Sequence, residues 1–272
     1  MIDPFSQTGI RFAVFFGVLI AFGILEMLHP RRRLTVDKVR RWLTNFSIIA
    51  LNSLVVRIMA ALSVPLAAIA AAHYAGDNGW GLLNAVEWPS AVEFVLAVAL
   101  LDLAIWVQHV ASHKVPVFWR LHQMHHADPD IDVTTGIRFH PIEIALSTLW
   151  KIACVMALGA SPLAVFVFEV LLNATALFSH SNVALPERLD RILRRVIVTP
   201  DMHRVHHSIE RHEHDSNYGF NLSVWDRLFG TYRAEPEKGH EHMTIGLKSY
   251  QSGEPAGLKW SLSLPFKPLR RG

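Results

Sequence analysis

Long apolar runs separated by basic or histidine-rich segments set the pattern of this chain. The first run, Ile10 to Leu28, is close to the ~20 residues that span a bilayer. Arg11 stands at its start, and Arg31, Arg32, Arg33, Lys38, Arg40 and Arg41 follow it. The excess of cations beyond the run predicts an N-terminus outside and an arginine-rich loop in the cytoplasm. No short apolar core ends in a small-residue cleavage site, so the run reads as an anchor and not a removed signal. A second stretch, Phe46 to Ala72, is interrupted by Arg57. It predicts an interfacial segment and then a span from Ile58 onward, with Arg57 at the headgroups. The loop from His73 to Trp88 has neither Lys nor Arg and is expected outside. A third span, Pro89 to Val110, returns to the cytoplasm. Ile142 to Leu158, a turn at Gly159 to Pro162, and Leu163 to Phe178 form two short apolar arms, with Lys151 inside the first. They predict a hairpin that enters the membrane without fully crossing.

Polar and mixed sequence follows Ser181. Pro186 to Val198 predicts an amphipathic helix lying on an anionic surface, with Leu189, Ile192, Leu193, Val196 and Ile197 on one face and Arg188, Arg191, Arg194 and Arg195 on the other. An ordinary helix packed on the domain is an equal reading of the same pattern. The expected architecture is therefore an all-α integral membrane protein. It has three to four transmembrane helices, a membrane-embedded helical hairpin and a cytoplasmic histidine-rich helical cap. The expected organisation is an anchor region over 1–88, a histidine-bearing unit over 89–235, and a loose tail over 236–272 that is rich in Pro, Gly and Lys.

Composition agrees with a membrane setting. Hydrophobic residues make up 51% and charged residues 18%, with a mean hydropathy of +0.26; soluble domains carry about 25% charged residues. The net charge of +3 belongs with cytoplasmic loops, and no nucleic-acid-binding motif accompanies it. A single cysteine, Cys154, excludes an intramolecular disulfide and a cysteine-ligated zinc or iron–sulfur centre.

The candidate chemistry is carried by histidine. His109-x3-His113, His122-x2-His125-His126 and His203-x2-His206-His207 each place their rings on one face of a helix. With 16 histidines in 272 residues, one chance copy of His-x-x-His-His is improbable and two copies far more so. So many protonatable rings together repel one another unless a metal holds them neutral. Eight rings exceed what one ion uses, and two ions fit. Imidazole suits iron, zinc, copper and nickel alike. Soluble carboxylate-bridged di-iron bundles use Glu-x-x-His pairs. Glu26-x-x-His29 and Glu237-x-x-His240 lie away from the clusters, so that scheme does not apply.

These three boxes resemble those of the fatty acid hydroxylase and sterol desaturase superfamily. RFHPIE (Arg138 to Glu143), FSHSN (Phe178 to Asn182), TPDMHRVHH (Thr199 to His207), NYG (Asn217 to Gly219) and WDRLFGTY (Trp225 to Tyr232) extend the likeness over Pro89 to Tyr232. The resemblance implies a membrane-bound, O2-dependent enzyme with two iron ions, or zinc in a purified sample, acting on a C–H bond of a lipid by hydroxylation or desaturation. It implies His109, His113, His122, His125, His126, His180, His203, His206 and His207 as ligands. Some relatives carry a further histidine four residues before the position of His180; here that residue is Ala176, which points to nine ligands rather than ten. No cytochrome b5-like segment is recognisable, so electrons are expected from a separate cytochrome b5-, ferredoxin- or reductase-type donor.

Other groups are open. His140 is a candidate for a further ligand or a contact of Glu143. Asn217 and Asp201 are candidates for orienting ligating rings. His212 and His214 read as exposed loop residues, and His29, His73, His240 and His242 as outside the site. Asp102, within a span, is either functional or paired with Arg57 or Lys151. Rival functions are a zinc-dependent membrane hydrolase, which needs no O2, a metal transporter, and a non-catalytic lipid- or metal-binding relative.

Overall fold

The structure is a computed structural model that describes residues 4–62 and 67–268. Among the described residues five helices are long and apolar enough to cross a membrane: α1 (Pro4–Leu28), α2 (Lys38–Leu62), then, after the short α3 (Ala68–Asp77), α4 (Ser90–Lys114), and, after α5 (Pro116–His126), α6 (Pro141–Leu158) and α7 (Pro162–His180). Among the described residues there is no strand, only isolated bridges such as Pro30 with Val183. The expected all-helical membrane architecture is what is observed. Phe12, Phe16 and Ile20 on α1 and Leu146, Leu149 and Trp150 on α6 are exposed, as residues facing lipid would be.

α2 departs from expectation. It runs unbroken through Arg57 and begins at Lys38, not near Phe46 or Ile58. Asp37 caps it by accepting from the Arg40 amide at 2.6 Å. The charged first turns stay helical because Arg41 is neutralised: its guanidinium meets Asp128 at 2.7 Å and Asp132 at 2.6 Å, all fully buried. A hydropathy pattern cannot show a cation whose partners lie about ninety residues away.

The two apolar arms are consecutive helices, but they do not pack on each other: α3 and α4 lie between them, and each arm is long enough to cross a membrane, where the sequence predicts a hairpin that enters without crossing. A proline opens each helix, and Gly159 closes α6 in the left-handed region at φ 68°. A β-carbon at Gly159 would sit 2.4 Å from the Trp80 carbonyl oxygen, so the turn and the loop before α4 close together only with glycine there. Within the bundle, Glu169 of α7 accepts from Arg11 of α1 at 2.6 Å and pairs with Lys151 of α6. Asp102 of α4 is bound by neither Arg57 nor Lys151. It accepts from the Leu222 amide at 3.1 Å and the Trp225 indole at 2.9 Å, tying the span to the polar segment beyond the last histidine box.

α8 (Glu187–Leu193) is shorter than the amphipathic helix expected over 186–198. Leu189, Ile192 and Val196 are exposed, but Arg194 turns inward, pairing with Asp190 and donating to the Ala234 carbonyl at 2.8 Å. The tail is not loose through residue 268. Met243, Ile245, Tyr250 and Leu264 are buried, and short helical turns pack against α2 and α5. The reason is Arg138. Its guanidinium is wholly buried and donates to the Pro255 carbonyl and the Ser261 hydroxyl, each at 2.8 Å. A buried cation requires such acceptors, and this segment supplies them.

Candidate metal centre

The end of α1, the start of α2, the end of α4, the start of α6 and the end of α7 lie together, and the histidines collect at that end. α4 presents His109 and His113 in its last two turns. Val115 breaks the helix in extended conformation, Pro116 starts α5, and α5 presents His122, His125 and His126. α7 ends on His180. α9 (Pro200–His206), capped by Thr199 accepting from the Met202 amide, carries His203 and His206, and His207 follows it.

The rings sort into two sets. His109, His113, His122, His126 and His206 form one; His125, His180, His203 and His207 form the other. In each set one nitrogen per residue lies within 4.8 Å of all the others. Nε2 atoms converge: His206 and His109 at 3.1 Å, His180 and His125 at 3.1 Å, His203 and His180 at 3.0 Å, His207 and His203 at 3.3 Å. All nine residues are buried.

Five rings are oriented from outside by an acceptor on Nδ1. His109 donates to the Tyr218 carbonyl at 2.7 Å, His206 to Ser216 at 2.7 Å, His180 to Ala176 at 2.6 Å and His125 to Arg138 at 3.3 Å. His122 donates to the Glu143 carboxylate at 2.6 Å. Each bond fixes a tautomer whose Nε2 lone pair faces inward, the arrangement metal-binding imidazoles use. Burial, with neighbouring rings as the second cause, holds His125, His126, His203 and His207 far below the ordinary histidine range, so they are neutral donors at pH 7. His122 Nε2 and both nitrogens of His113 and His126 are buried without a hydrogen-bond partner. Buried polar atoms in such numbers call for a bound group, and an all-nitrogen donor set in two groups fits two first-row transition-metal ions.

The other candidates lie outside both sets. His140 caps α6 by accepting from the Ile142 amide at 3.2 Å, and its Nε2 faces the Leu262 carbonyl. Asp201 pairs with Arg204 and Arg31 and touches none of the nine rings. Asn217 acts one step removed: in a left-handed conformation (φ 51°), it donates to the Met202 and Arg233 carbonyls and accepts from the Arg233 amide. It thereby braces the loop whose Ser216 and Tyr218 carbonyls orient His206 and His109. Asp226 of WDRLFGTY holds the same loop, accepting from the Tyr218 and Gly219 amides at 2.8 Å each and from the Trp106 indole at 3.0 Å.

Two residues were missed in the sequence. Glu143 partners His122 and not His140; its place in the first turn of α6 was the available signal. His214 is buried, not exposed, with its ring 4.4 Å from that of His126 and 4.7 Å from His113. Burial holds it down to about 4. Nothing local marks it, because its burial comes from α4 and α5.

A cavity of about 710 Å³ opens beside the first set. Its wall includes the buried His109, His122 and Glu143, with Phe139 beside them, and also the exposed apolar residues Phe12 and Val56. Phe139 stacks on His125 at 4.4 Å and 10°.

A family profile described as fatty acid hydroxylase matches residues 94–231. The chain is 35% identical over 155 residues to ornithine lipid hydroxylase OlsE of Rhizobium tropici, covering 55% of this chain and 44% of that protein. It is 31% identical over 175 residues to human alkylglycerol monooxygenase, covering 61% and 36%, and 24% identical over 155 residues to mouse cholesterol 25-hydroxylase, covering 55% and 51%. The chain thus spans about half or less of the length of these relatives. No solved structure matches it.

Proposed function

Because the chain belongs to the fatty acid hydroxylase family, we propose that it is a membrane-bound, O2-dependent monooxygenase that hydroxylates a C–H bond of a lipid. The observation that carries this reading is the division of nine buried histidines into sets of five and four beside a cavity reaching the lipid-facing surface. Under this proposal His109, His113, His122, His126 and His206 hold one iron ion, and His125, His180, His203 and His207 the other. Bound there, the iron pair supplies the redox chemistry that turns O2 against an unactivated C–H bond.

The protein's part is placement. Tyr218, Ser216, Ala176, Arg138 and Glu143 lock the ring tautomers before any ion arrives. Phe139 and the apolar walls of the cavity keep bulk water from the reacting carbon. The lipid enters from the bilayer past Phe12 and Val56. The unit over 89–235 carries the chemistry on the anchor of 1–88, and the centre faces the cytoplasm, as the cationic segment Arg31 to Arg41 at the same end favours. Electrons come from a separate one-electron carrier.

The test is lipid mass spectrometry of membranes with and without the full chain, under air and under nitrogen. The expected product gains one oxygen only under air. His122→Ala, His206→Ala and His207→Ala should each abolish it, whereas an O2-independent cleavage product would establish hydrolysis instead.

A further inference from the structure

Apart from His122 Nε2, which faces the first histidine set, two buried acceptors in the cavity wall have no partner in the protein. One is Glu143 Oε2; the other is Asn52 Oδ1. Both residues are more than nine-tenths buried or at that limit, at 9% and 6% exposure. Their bonded atoms are already assigned. Glu143 uses Oε1 for His122, and Asn52 donates through Nδ2 to the Phe139 carbonyl at 2.9 Å. A carbonyl can only accept, so the amide of Asn52 cannot be turned round. What remains free in each case is an oxygen that only accepts. Leaving such atoms buried and unpaired is unfavourable, so a ligand that brings hydrogen-bond donors is favoured over one that does not.

Position sharpens this. Asn52 holds the backbone carbonyl of Phe139, whose ring stacks on His125, and Glu143 holds His122, so both free oxygens lie on the histidine side of the cavity. The exposed apolar residues Phe12 and Val56 also belong to its wall. Arg57, also in the wall, is five residues beyond Asn52 on α2, about 7 Å farther along the helix.

We propose that the substrate is a lipid with a donor-bearing polar head, hydroxyl or ammonium, that binds head-inward against Asn52 and Glu143 with its chain leaving between α1 and α2. The oxidised C–H then lies within a few bonds of the head and not deep in the chain. This rests on the lipid-hydroxylase reading and names its substrate class.

Binding to the full-length protein in nanodiscs tests it without turnover, using four probes of equal chain length: 1-O-hexadecylglycerol, hexadecylamine, hexadecyl methyl ether and palmitate. The glycerol ether or the amine should bind about tenfold or more tighter than the methyl ether. Asn52→Leu and Glu143→Gln should each remove most of that preference; the glutamine keeps an oxygen for His122. An amine preference lost chiefly in Glu143→Gln identifies an ammonium head, and a glycerol-ether preference weakened in both variants identifies a hydroxyl head. Equal affinities, or a preference that survives both substitutions, overturn the proposal. So does tightest binding of palmitate that is lost in Arg57→Gln, which would put an anionic head at Arg57. Metal content is measured on the same samples. A wild type that shows the preference but takes up no iron would overturn the oxidative reading and leave head recognition standing.

Discussion

Gly136 lies so close to Ala176 that a β-carbon on it would come within 2.6 Å of the Ala176 carbonyl oxygen. That oxygen accepts from His180 Nδ1, so one close approach of loop to α7 sets a ring of the second histidine set. Gly136→Ala should push α7 away, at a cost of about 1–3 kcal/mol, and turn His180 off its site. If the two sets each hold one ion as proposed, the expected result is a chain that retains about one metal ion against two for the wild type, measured by elemental analysis. Full loading of the variant would contradict the coupling.

Arg41 should be indispensable to folding. Arg41→Met leaves Asp128 and Asp132 buried, both within 1% exposure, with no counter-charge. Removing one partner of such a group costs about 3–5 kcal/mol. Thermal unfolding in detergent should show a large drop, or the variant should fail to accumulate.

Asp226→Asn tests whether the WDRLFGTY segment supports the centre. The carboxylate accepts from Trp106, Tyr218, Gly219 and Thr231. An amide turns one of its two oxygens into a donor facing donors, so stability should fall by about 1–3 kcal/mol. Because the Tyr218 carbonyl orients His109, metal affinity in a chelator competition should fall with it.

Acid should act on the metal-free protein in one direction. Burial, then neighbouring rings, hold His126, His203, His206 and His207 far below 6.5 in the folded state. The unfolded chain takes up protons below about 6.5 that the folded chain refuses, so stability falls as pH drops through that value and is flat above it. Melting temperatures of chelator-treated protein at pH 8, 6.5 and 5.5 check this. An unchanged value at pH 5.5 would show that the rings protonate in place.

The first and third spans, the two apolar arms as helices and eight of the nine rings were legible in the sequence, because hydropathy and helical histidine spacing are local patterns; His180 stands alone in its helix and came only with the family resemblance. What was not legible depends on distant partners. Arg41 reads as the end of a basic loop until Asp128 and Asp132 cover it. The tail reads as loose until Arg138 claims its Pro255 carbonyl and Ser261 hydroxyl. His140 and Glu143 share one motif, yet only the fold shows that the acid, and not the histidine, reaches the centre. Asp102 reads either as functional or as half of an intramembrane ion pair, and in the fold it accepts from two backbone amides and an indole. His214 owes its burial to helices about ninety or more residues earlier.

His125 and His126 are consecutive, as are His206 and His207, and each pair divides between the two sets. Neighbours on a helix diverge by about 100°, so two short helices act as a ruler for the distance between the sites, with no wall between them. Under the proposed function, an ion captured by the first set would immobilise α5 and α9, and with them three of the four donors of the second. Loading should therefore be steeper than two independent events: chains in a titration with limiting iron are either empty or doubly filled, and half-assembled centres, the ones most prone to wasteful chemistry with oxygen, stay rare.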